Sequence, residues 1–289
     1  DGSKVAEQVL PYARFLAKAL TIPVELLEVV DPETLVAFAN PAQGRHLDNL
    51  VAEAVSRAGI YLETTARSFQ GAQVKSLAEK GKAEEVVIEK ATAAEGTLIV
   101  MATHGRSGIQ RWLLGSVADK VLHGATNHLF LVRATDQGKT DGEAALKTVI
   151  VPLDGSTIAE QALPHVVALA ARMQLQVVLI RAYALPPTVS PEDYGYYSAE
   201  MLDHLESEAR DYLQKKANEI KQKGVANVTS VVNTGYGAEE IITLGRNTPD
   251  TFIAMSTHGR SGIQRWVLGS VTGRVVRHSG DPVLIVRSA

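Results

Sequence analysis

Short apolar runs alternate with longer stretches of helical period along the whole chain. The clearest runs, each bounded by turn residues, are residues 98–101, 129–132, 149–151, 252–255 and 283–286. Continuous runs of this kind predict strands buried on both faces, which is typical of parallel sheets covered by helices. Amphipathic stretches such as residues 159–173 and 238–246 lie between them and predict the helices. The alternation predicts an α/β fold, and we expect each half to be an open, doubly wound, five-stranded parallel sheet with helices on both faces.

The sequence contains an internal repeat. Residues 103–117 return as residues 257–271 with a single change, Leu113 to Val267, and Asp1-Gly2-Ser3 returns as Asp154-Gly155-Ser156. Self-similarity of this kind indicates a duplicated domain. We predict a first domain over residues 1–133, an aperiodic linker over 134–146 and a second domain over 147–289. The length of the chain also suggests two domains.

The two halves differ in their first strand and in one long connection. Asp154 follows an apolar strand, whereas its counterpart Asp1 opens the sequence, so the first half has no opening strand. Because that strand would be central to the sheet, we expect further residues upstream in the natural chain. Residues 31–47 and 184–200 do not resemble each other, and we interpret them as divergent surface loops or irregular helices.

Composition narrows the class of function. The chain is 45% hydrophobic and 21% charged, which is ordinary for a soluble globular protein. The formal charge of −3 gives no reason to expect nucleic acid or an anionic membrane as a partner, and no apolar run approaches the roughly 18 residues of a membrane span. The absence of cysteine excludes disulfides and Cys-ligated metal and fits a reducing compartment. We therefore expect a cytoplasmic protein.

The least altered part of the repeat is a glycine-rich loop between a buried strand and a helix. In open α/β sheets ligands bind at the carboxyl ends of the strands, and a helix N-terminus there suits phosphate because its N–H groups are unpaired. The glycines let the backbone approach an anion, the serines can cap the helix or donate a hydroxyl, and the arginines add charge. These residues are Gly105, Arg106, Gly108, Gly115 and Ser116 in the first copy, and Gly259, Arg260, Gly262, Gly269 and Ser270 in the second. A tight turn would explain one such loop, but two near-identical copies favour phosphate binding.

Signatures of rapid catalysis are missing from the sequence. It contains no P-loop, no Gly-x-Ser-x-Gly nucleophile elbow and no His-Glu-x-x-His metal signature. His104 and His258 precede a turn at a strand end, where histidine more often bonds to the backbone than acts in catalysis. Asp1 and Asp154 follow the position of the first strand, where a carboxylate either faces a ligand or belongs to a helix cap.

Both halves resemble the universal stress protein domain, and the resemblance covers nearly the full length of the chain. Nucleotide-binding members of that family carry Gly-x2-Gly-x9-Gly-Ser/Thr after the fourth strand. The copies here read Ala102-x2-Gly105-x9-Gly115-Ser116 and Ser256-x2-Gly259-x9-Gly269-Ser270. The spacing matches throughout, and the departure is the first glycine, which is replaced by the small residues Ala102 and Ser256.

The resemblance implies a fold, a ligand and a set of contacts. It implies a Rossmann-like domain with strand order 3-2-1-4-5, an adenine nucleotide such as ATP or AMP, and pairing of the two domains through their last strands, residues 129–132 and 283–286. It leaves open a homodimer and Mg²⁺ held through the phosphates. The residues that it places around the nucleotide, beyond the loops, are Asp1, Val29, Met101, Ala102 and Val117 in the first half, and Pro152, Leu153, Asp154, Ala182, Met255, Ser256 and Val271 in the second.

We therefore expect a nucleotide-binding protein that acts in stress response through its bound state. The sequence shows no general base or metal constellation for rapid hydrolysis. Two alternatives stay open at this point: an interaction module that binds no nucleotide, and a slow ATPase.

Overall fold

The computed structural model describes residues 1–38, 47–103, 114–135, 138–184, 197–257 and 268–287. The chain divides into two compact units, Asp1–Ala145 and Leu146–Ala289. Each unit is described by itself below.

The second unit contains a sheet of five parallel strands. They are β5 (Thr148–Pro152), β6 (Gln176–Tyr183), β7 (Val228–Thr234), β8 (Thr251–Ser256) and β9 (Val283–Val286). Their order across the sheet is β9-β8-β5-β6-β7. If the five strands are numbered along the chain from β5, the order read from the β7 edge is 3-2-1-4-5. Every residue of β8 and β9 is buried, because these strands are apolar on both faces and helices cover the sheet.

The helices of the second unit follow from capping and apolar period. They are α6 (Thr157–Glu160), α7 (Ala162–Met173), α8 (Tyr197–Gln222), α9 (Gly237–Arg246) and α10 (Ser270–His278). In α9 the buried residues Ala238, Ile241, Ile242 and Gly245 recur at helical spacing, which gives one apolar face toward the sheet. Gln174 is the C-cap of helix α7, and its left-handed backbone, with φ of 54°, turns the chain toward β6.

The first unit has helices at the corresponding places but a different arrangement of strands. A 3-10 turn (Ala6–Val9) leads into α1 (Leu10–Leu20), and α2 (Pro32–Phe38), α3 (Leu47–Ala66), α4 (Ala83–Ala93) and α5 (Ser116–Gly124) follow along the chain. The strands β1 (Val24–Val30) and β2 (Val74–Lys80) form one parallel pair. The strands β3 (Ile99–Ala102) and β4 (Leu129–Val132) form another.

The described part of the first unit therefore differs from the five-stranded sheet expected for each half. In the second unit, β5 lies between β6 and β8 and hydrogen-bonds to both. Since Asp1 is the counterpart of Asp154, the counterparts of Thr148–Pro152 are not in this sequence, and no described strand of the first unit joins β1 to β3.

The segment predicted as a linker is hydrogen-bonded to the first unit. The Ala144 N–H donates to the Pro11 carbonyl oxygen at 3.0 Å, and Lys18 forms an ion pair with Glu143 at 3.1 Å. Arg14 Nε donates to the Gly142 carbonyl oxygen at 2.7 Å. The described residues of the segment form no helix or strand, and helix α1 supplies partners to residues 140–144.

Candidate functional site

Each glycine-rich loop is closed at its base by one backbone hydrogen bond. In the second unit the Gly269 N–H donates to the Thr257 carbonyl oxygen at 2.8 Å. In the first unit the Gly115 N–H donates to the Thr103 carbonyl oxygen at the same distance. Each loop therefore leaves and re-enters the fold at one point, between the end of a buried strand and the start of a helix.

The two helices that follow the loops begin in the same way. Gly115 and Gly269 are N-cap residues with φ of −61° and −56° and ψ of 148° and 147°. Within the described residues neither cap makes a side-chain hydrogen bond. Ser116 and Ser270 are the first helical residues and are exposed, so they do not cap these helices, and the alternative that their hydroxyls donate to a phosphate stays a prediction. Since a glycine cap has no side chain to accept from them, the first N–H groups of α5 and α10 carry the partial positive charge of a helix start.

The Asp-Gly-Ser turn of the second unit belongs to a helix cap, which is one of the two roles that the sequence left open. Asp154 Oδ1 accepts hydrogen bonds from the N–H and the hydroxyl of Ser156 at 2.9 and 2.6 Å. The Ser156 hydroxyl oxygen accepts from the Ala159 N–H at 3.1 Å, so the serine caps α6 and the aspartate holds the serine. Gly155 has φ of +88°, a conformation that favours glycine.

The first unit repeats this turn. Asp1 Oδ1 accepts from the N–H and the hydroxyl of Ser3 at 3.1 and 2.7 Å, and the Ser3 hydroxyl oxygen accepts from the Ala6 N–H at 3.2 Å. Gly2 has φ of +63°. Each copy therefore fixes a carboxylate just before the first helix of its unit.

The remaining predicted residues of the second unit gather at the carboxyl ends of its parallel strands. Pro152 ends β5, Leu153 is buried behind it, and Ala182 is half-buried near the end of β6. Met255 and Ser256 end β8 and are buried. Since parallel strands share one carboxyl edge, these residues lie at the edge where ligands bind in this fold.

Ser256 connects this edge to two helices. Its hydroxyl lies 3.5 Å from the Ala159 carbonyl oxygen in α6, and its own carbonyl oxygen accepts from the Thr272 hydroxyl of α10 at 3.0 Å. Val271, in the first turn of α10, is 40% exposed although it is apolar.

The corresponding residues of the first unit are not in one sheet. Val29 lies in β1 and is half-buried, whereas Met101 and Ala102 lie half-buried in β3, which belongs to the other strand pair. Val117 is half-buried in the first turn of α5. The structure thus brings the predicted residues together in the second unit more completely than in the first.

Several predicted residues lie outside the described part of the chain. They are His104, Gly105, Arg106 and Gly108 in the first loop and His258, Gly259, Arg260 and Gly262 in the second.

A partly buried polar cluster around Glu160 was not predicted. The Tyr212 hydroxyl donates to Glu160 Oε1 at 2.8 Å, and Lys216 Nζ donates to Glu160 Oε2 at 2.8 Å. The Arg181 guanidinium carbon lies 5.1 Å from the centre of the Tyr212 ring. Burial, and then the hydrogen bond to Glu160, raise the pKa of Tyr212 far above its ordinary value.

The first unit has a smaller version of this cluster. The Tyr61 hydroxyl donates to Glu7 Oε1 at 2.9 Å, and burial followed by this hydrogen bond raises the pKa of Tyr61 to about 12. Glu7 and Glu160 occupy the same place in the Ala-Glu-Gln triplet that both halves share. The repeated glutamate was the only part of the cluster that the repeat could have indicated. Its tyrosine partner lies more than 50 residues further along the chain in each half.

The fold and the repeated strand–loop–helix segment define a protein of two α/β units. The profile of the universal stress protein family matches residues 1–133 and again residues 145–287. The chain belongs to the universal stress protein family, and carries two copies of its domain.

Individual relatives agree with this assignment. A universal stress protein from Mycolicibacterium smegmatis is 22% identical and covers 99% of this chain and 95% of its own length. One from Methanocaldococcus jannaschii is 28% identical over 147 residues, which are 51% of this chain and 85% of that protein. The crystal structure of a universal stress protein from Archaeoglobus fulgidus has a TM-score of 0.66 at 18% identity and covers 98% of this chain and 94% of its own, which is a likeness of fold.

Across the described ranges, no helix combines the length and the apolar character needed to cross a membrane.

Proposed function

We propose that the units bind an adenine nucleotide, ATP or AMP, with its phosphates at the start of α5 and α10. The bound state then acts as a signal in stress response rather than as a step in rapid catalysis. The observation that carries the proposal is the helix start at Gly269, which has no side-chain cap within the described residues and is joined to Thr257 at the base of the loop. Backbone N–H groups at such a start can donate to phosphate oxygens.

The residues around Gly269 suit the rest of a nucleotide. An ionised carboxylate only accepts hydrogen bonds, so Asp154 suits the hydroxyl groups of a ribose. The exposed apolar side chain of Val271 suits the face of a sugar or a base. Mg²⁺ would be held mainly through the phosphates, since in the described residues no three His, Asp or Glu side chains gather as a metal site.

Three further points belong to this proposal. We infer a cytoplasmic location from the absence of cysteine. Pairing of the two units through residues 129–132 and 283–286, and assembly into a homodimer, stay predictions. Crosslinking followed by mass measurement would test both.

Calorimetric titration of the full chain with ATP and with AMP tests the binding step. We expect micromolar binding, and we expect Gly269→Val together with Gly115→Val to remove it, because both caps have backbone angles that valine tolerates but a side chain there would occupy the space beside the helix start. Gly280→Val is the matched control, since a Cβ at Gly280 meets nothing within 4 Å. Flat titrations at millimolar ATP would refute the proposal.

The alternative from another class is an interaction module without nucleotide. Mass spectrometry of small molecules released from the purified protein separates the two: a released adenine nucleotide supports our proposal and contradicts that alternative. The slow ATPase is tested by phosphate release, which would continue in the Gly269→Val and Gly115→Val double variant only if hydrolysis takes place elsewhere.

A further inference from the structure

The second unit carries an exposed aromatic residue at the carboxyl edge of its sheet. Tyr236, which follows β7, is 74% exposed, the highest value among the large apolar side chains of the described residues. It is the N-cap of α9, but within those residues its side chain makes no capping hydrogen bond. Serine, threonine, asparagine and aspartate are the residues that stabilise such a position. Neither burial nor helix capping therefore accounts for a tyrosine here.

Hydrogen bonds hold the corner that carries Tyr236. The Gly235 N–H donates to the Tyr183 carbonyl oxygen at 2.8 Å, which joins the corner to the last residue of β6. Gly235 has φ of 149°, and a Cβ there would overlap the carboxylate of Glu240. That carboxylate accepts a hydrogen bond from Asn233 Nδ2 at 2.9 Å. The Tyr236 backbone is thus fixed, so the ring extends from a defined point beside the end of β6.

The same corner lies beside the start of α10. A Cβ built on Gly237 would stand 3.9 Å from both methyl carbons of Val271, so Val271 packs against the first residue of α9. Arg274 of α10 pairs with Glu239 of α9 at 2.9 Å and joins the two helices a second time. Tyr236 and Val271 are therefore exposed apolar residues on two adjoining helix starts. They lie between the end of β6 and the helix start proposed for the phosphates.

The first unit has the same corner without the ring. Gly81 and Lys82 are the counterparts of Gly235 and Tyr236 in the repeat. Gly81 has φ of 144°, and its N–H donates to the carbonyl oxygen of Val30, the last residue of β1, at 3.0 Å. Lys82 is the N-cap of α4 with φ of −77° and ψ of 126°, against −80° and 125° for Tyr236. The two backbones match, and only the second unit presents an aromatic side chain from this point.

We propose that the base of a nucleotide bound to the second unit stacks on the ring of Tyr236, with the methyl groups of Val271 beside it. The phosphates then lie at Gly269 and the base lies toward the end of β6. The inference rests on the proposed nucleotide function and adds the residue that binds the base. Because every base has a π face, the ring adds affinity for a base without selecting adenine.

Two probes separate the base from the phosphates. ATP carries both, whereas inorganic tripolyphosphate carries no base. The full chain with Gly115→Val leaves the second site to be measured by itself. In that background, Tyr236→Ala should lower the affinity for ATP roughly tenfold, the size expected for losing one stacking ring, and leave the affinity for tripolyphosphate unchanged. Tyr236→Phe should keep both affinities, because the ring and not the hydroxyl contacts the base.

Two more substitutions at the same position exclude a folding defect. Tyr236→Ser supplies a hydroxyl that can cap α9, so its midpoint of thermal unfolding should stay equal or rise while its affinity for ATP falls as in Tyr236→Ala. Tyr236→Lys copies the corner of the first unit, and the ratio of ATP affinity to tripolyphosphate affinity should fall by about the same factor.

Ile60→Ala is the matched control, because it truncates another exposed apolar side chain, 64% exposed in α3 of the first unit, and should leave both affinities unchanged. An ATP affinity that Tyr236→Ala does not change, or an equal loss for ATP and tripolyphosphate, would overturn the inference while the proposed function stands. The first of these results would leave the ring as a contact for a protein partner. Failure of ATP to bind the unmodified chain would overturn the proposed function and this inference with it.

Discussion

The side-chain amide of Gln8 is hydrogen-bonded on both sides to the backbone of Thr135. Its Nε2 donates to the Thr135 carbonyl oxygen at 2.6 Å, and its Oε1 accepts from the Thr135 N–H at 2.8 Å. Gln8 is only 6% exposed, so these bonds replace water for a buried amide. The pair ties the first turn of the unit to the chain just beyond β4.

Gln8→Leu should destabilise the first unit by roughly 1–3 kcal/mol, because it leaves the backbone N–H and carbonyl of Thr135 without their partner. Chemical unfolding gives the loss in free energy. Hydrogen exchange should also rise in residues 138–146.

The counterpart residue supplies the control. Gln161 occupies the same place in the repeat, but within the described residues its buried Oε1 has no hydrogen-bond partner. Gln161→Leu should therefore lower the free energy of unfolding by less than Gln8→Leu does. Equal losses in the free energy of unfolding for the two variants would show that the hydrogen bonds from Gln8 to Thr135 do not add to stability.

Arg14→Ala should loosen the segment predicted as a linker. Arg14 donates to the carbonyl oxygens of Gly142 and Thr140, both at 2.7 Å, so that one side chain holds two points of the segment. We expect cleavage by trypsin after Lys139 to accelerate at least severalfold, because proteolysis follows the population of the open form. Lys75→Ala, which breaks only an exposed ion pair, should leave the rate unchanged.

Gly245→Ala should destabilise the second unit by roughly 1–3 kcal/mol, since a Cβ at this position of α9 would overlap the carboxylate of Asp281. Gly59→Ala in α3 is the opposite case. Nothing lies within 4 Å of a Cβ there, and alanine favours a helix, so this variant should gain about 0.5–1 kcal/mol. Thermal unfolding of both variants would show the contrast, and a loss of similar size for both would contradict it.

Asp281→Asn should stabilise the protein at neutral pH. Burial raises the pKa of Asp281 above its ordinary value of 3.8, although a hydrogen bond from Ser279 opposes this. The folded state then holds the proton more tightly than the unfolded state, so stability falls as the pH rises through the unfolded and then the folded pKa. The extra free energy of unfolding of Asp281→Asn should be present at pH 7. It should vanish below about pH 3, where the aspartic acid of the unmodified chain is also neutral. Asp211→Asn, at an exposed position on α8, should change stability by less than about 0.5 kcal/mol at both pH values.

Much of the fold could be predicted because its signals are local. Apolar runs such as Leu129–Val132 and Val283–Val286 are strands with these bounds. The repeated Asp-Gly-Ser triplet forms the same turn twice, since an aspartate two residues before a serine can hold it directly. The helix starts at Ser116 and Ser270 follow the loops as expected, but the caps are the preceding glycines.

The rest depends on contacts between distant residues. Glu160 and Lys216 are 56 positions apart, and Gln8 and Thr135 are 127 apart. No period or motif within either segment indicates its partner. Side-chain pairing across elements is a property of the packed fold, which is why the cluster around Tyr212 emerged only from the structure.

The closure of each loop at its base has an evolutionary consequence. Because a backbone hydrogen bond joins Thr257 to Gly269, the two residues that flank positions 258–268 are held together whatever side chains the loop carries. The first unit has the same backbone hydrogen bond, between Gly115 and Thr103. Two loops that differ only at Leu113 against Val267 are therefore anchored in the same way in two units whose other sequences have diverged widely.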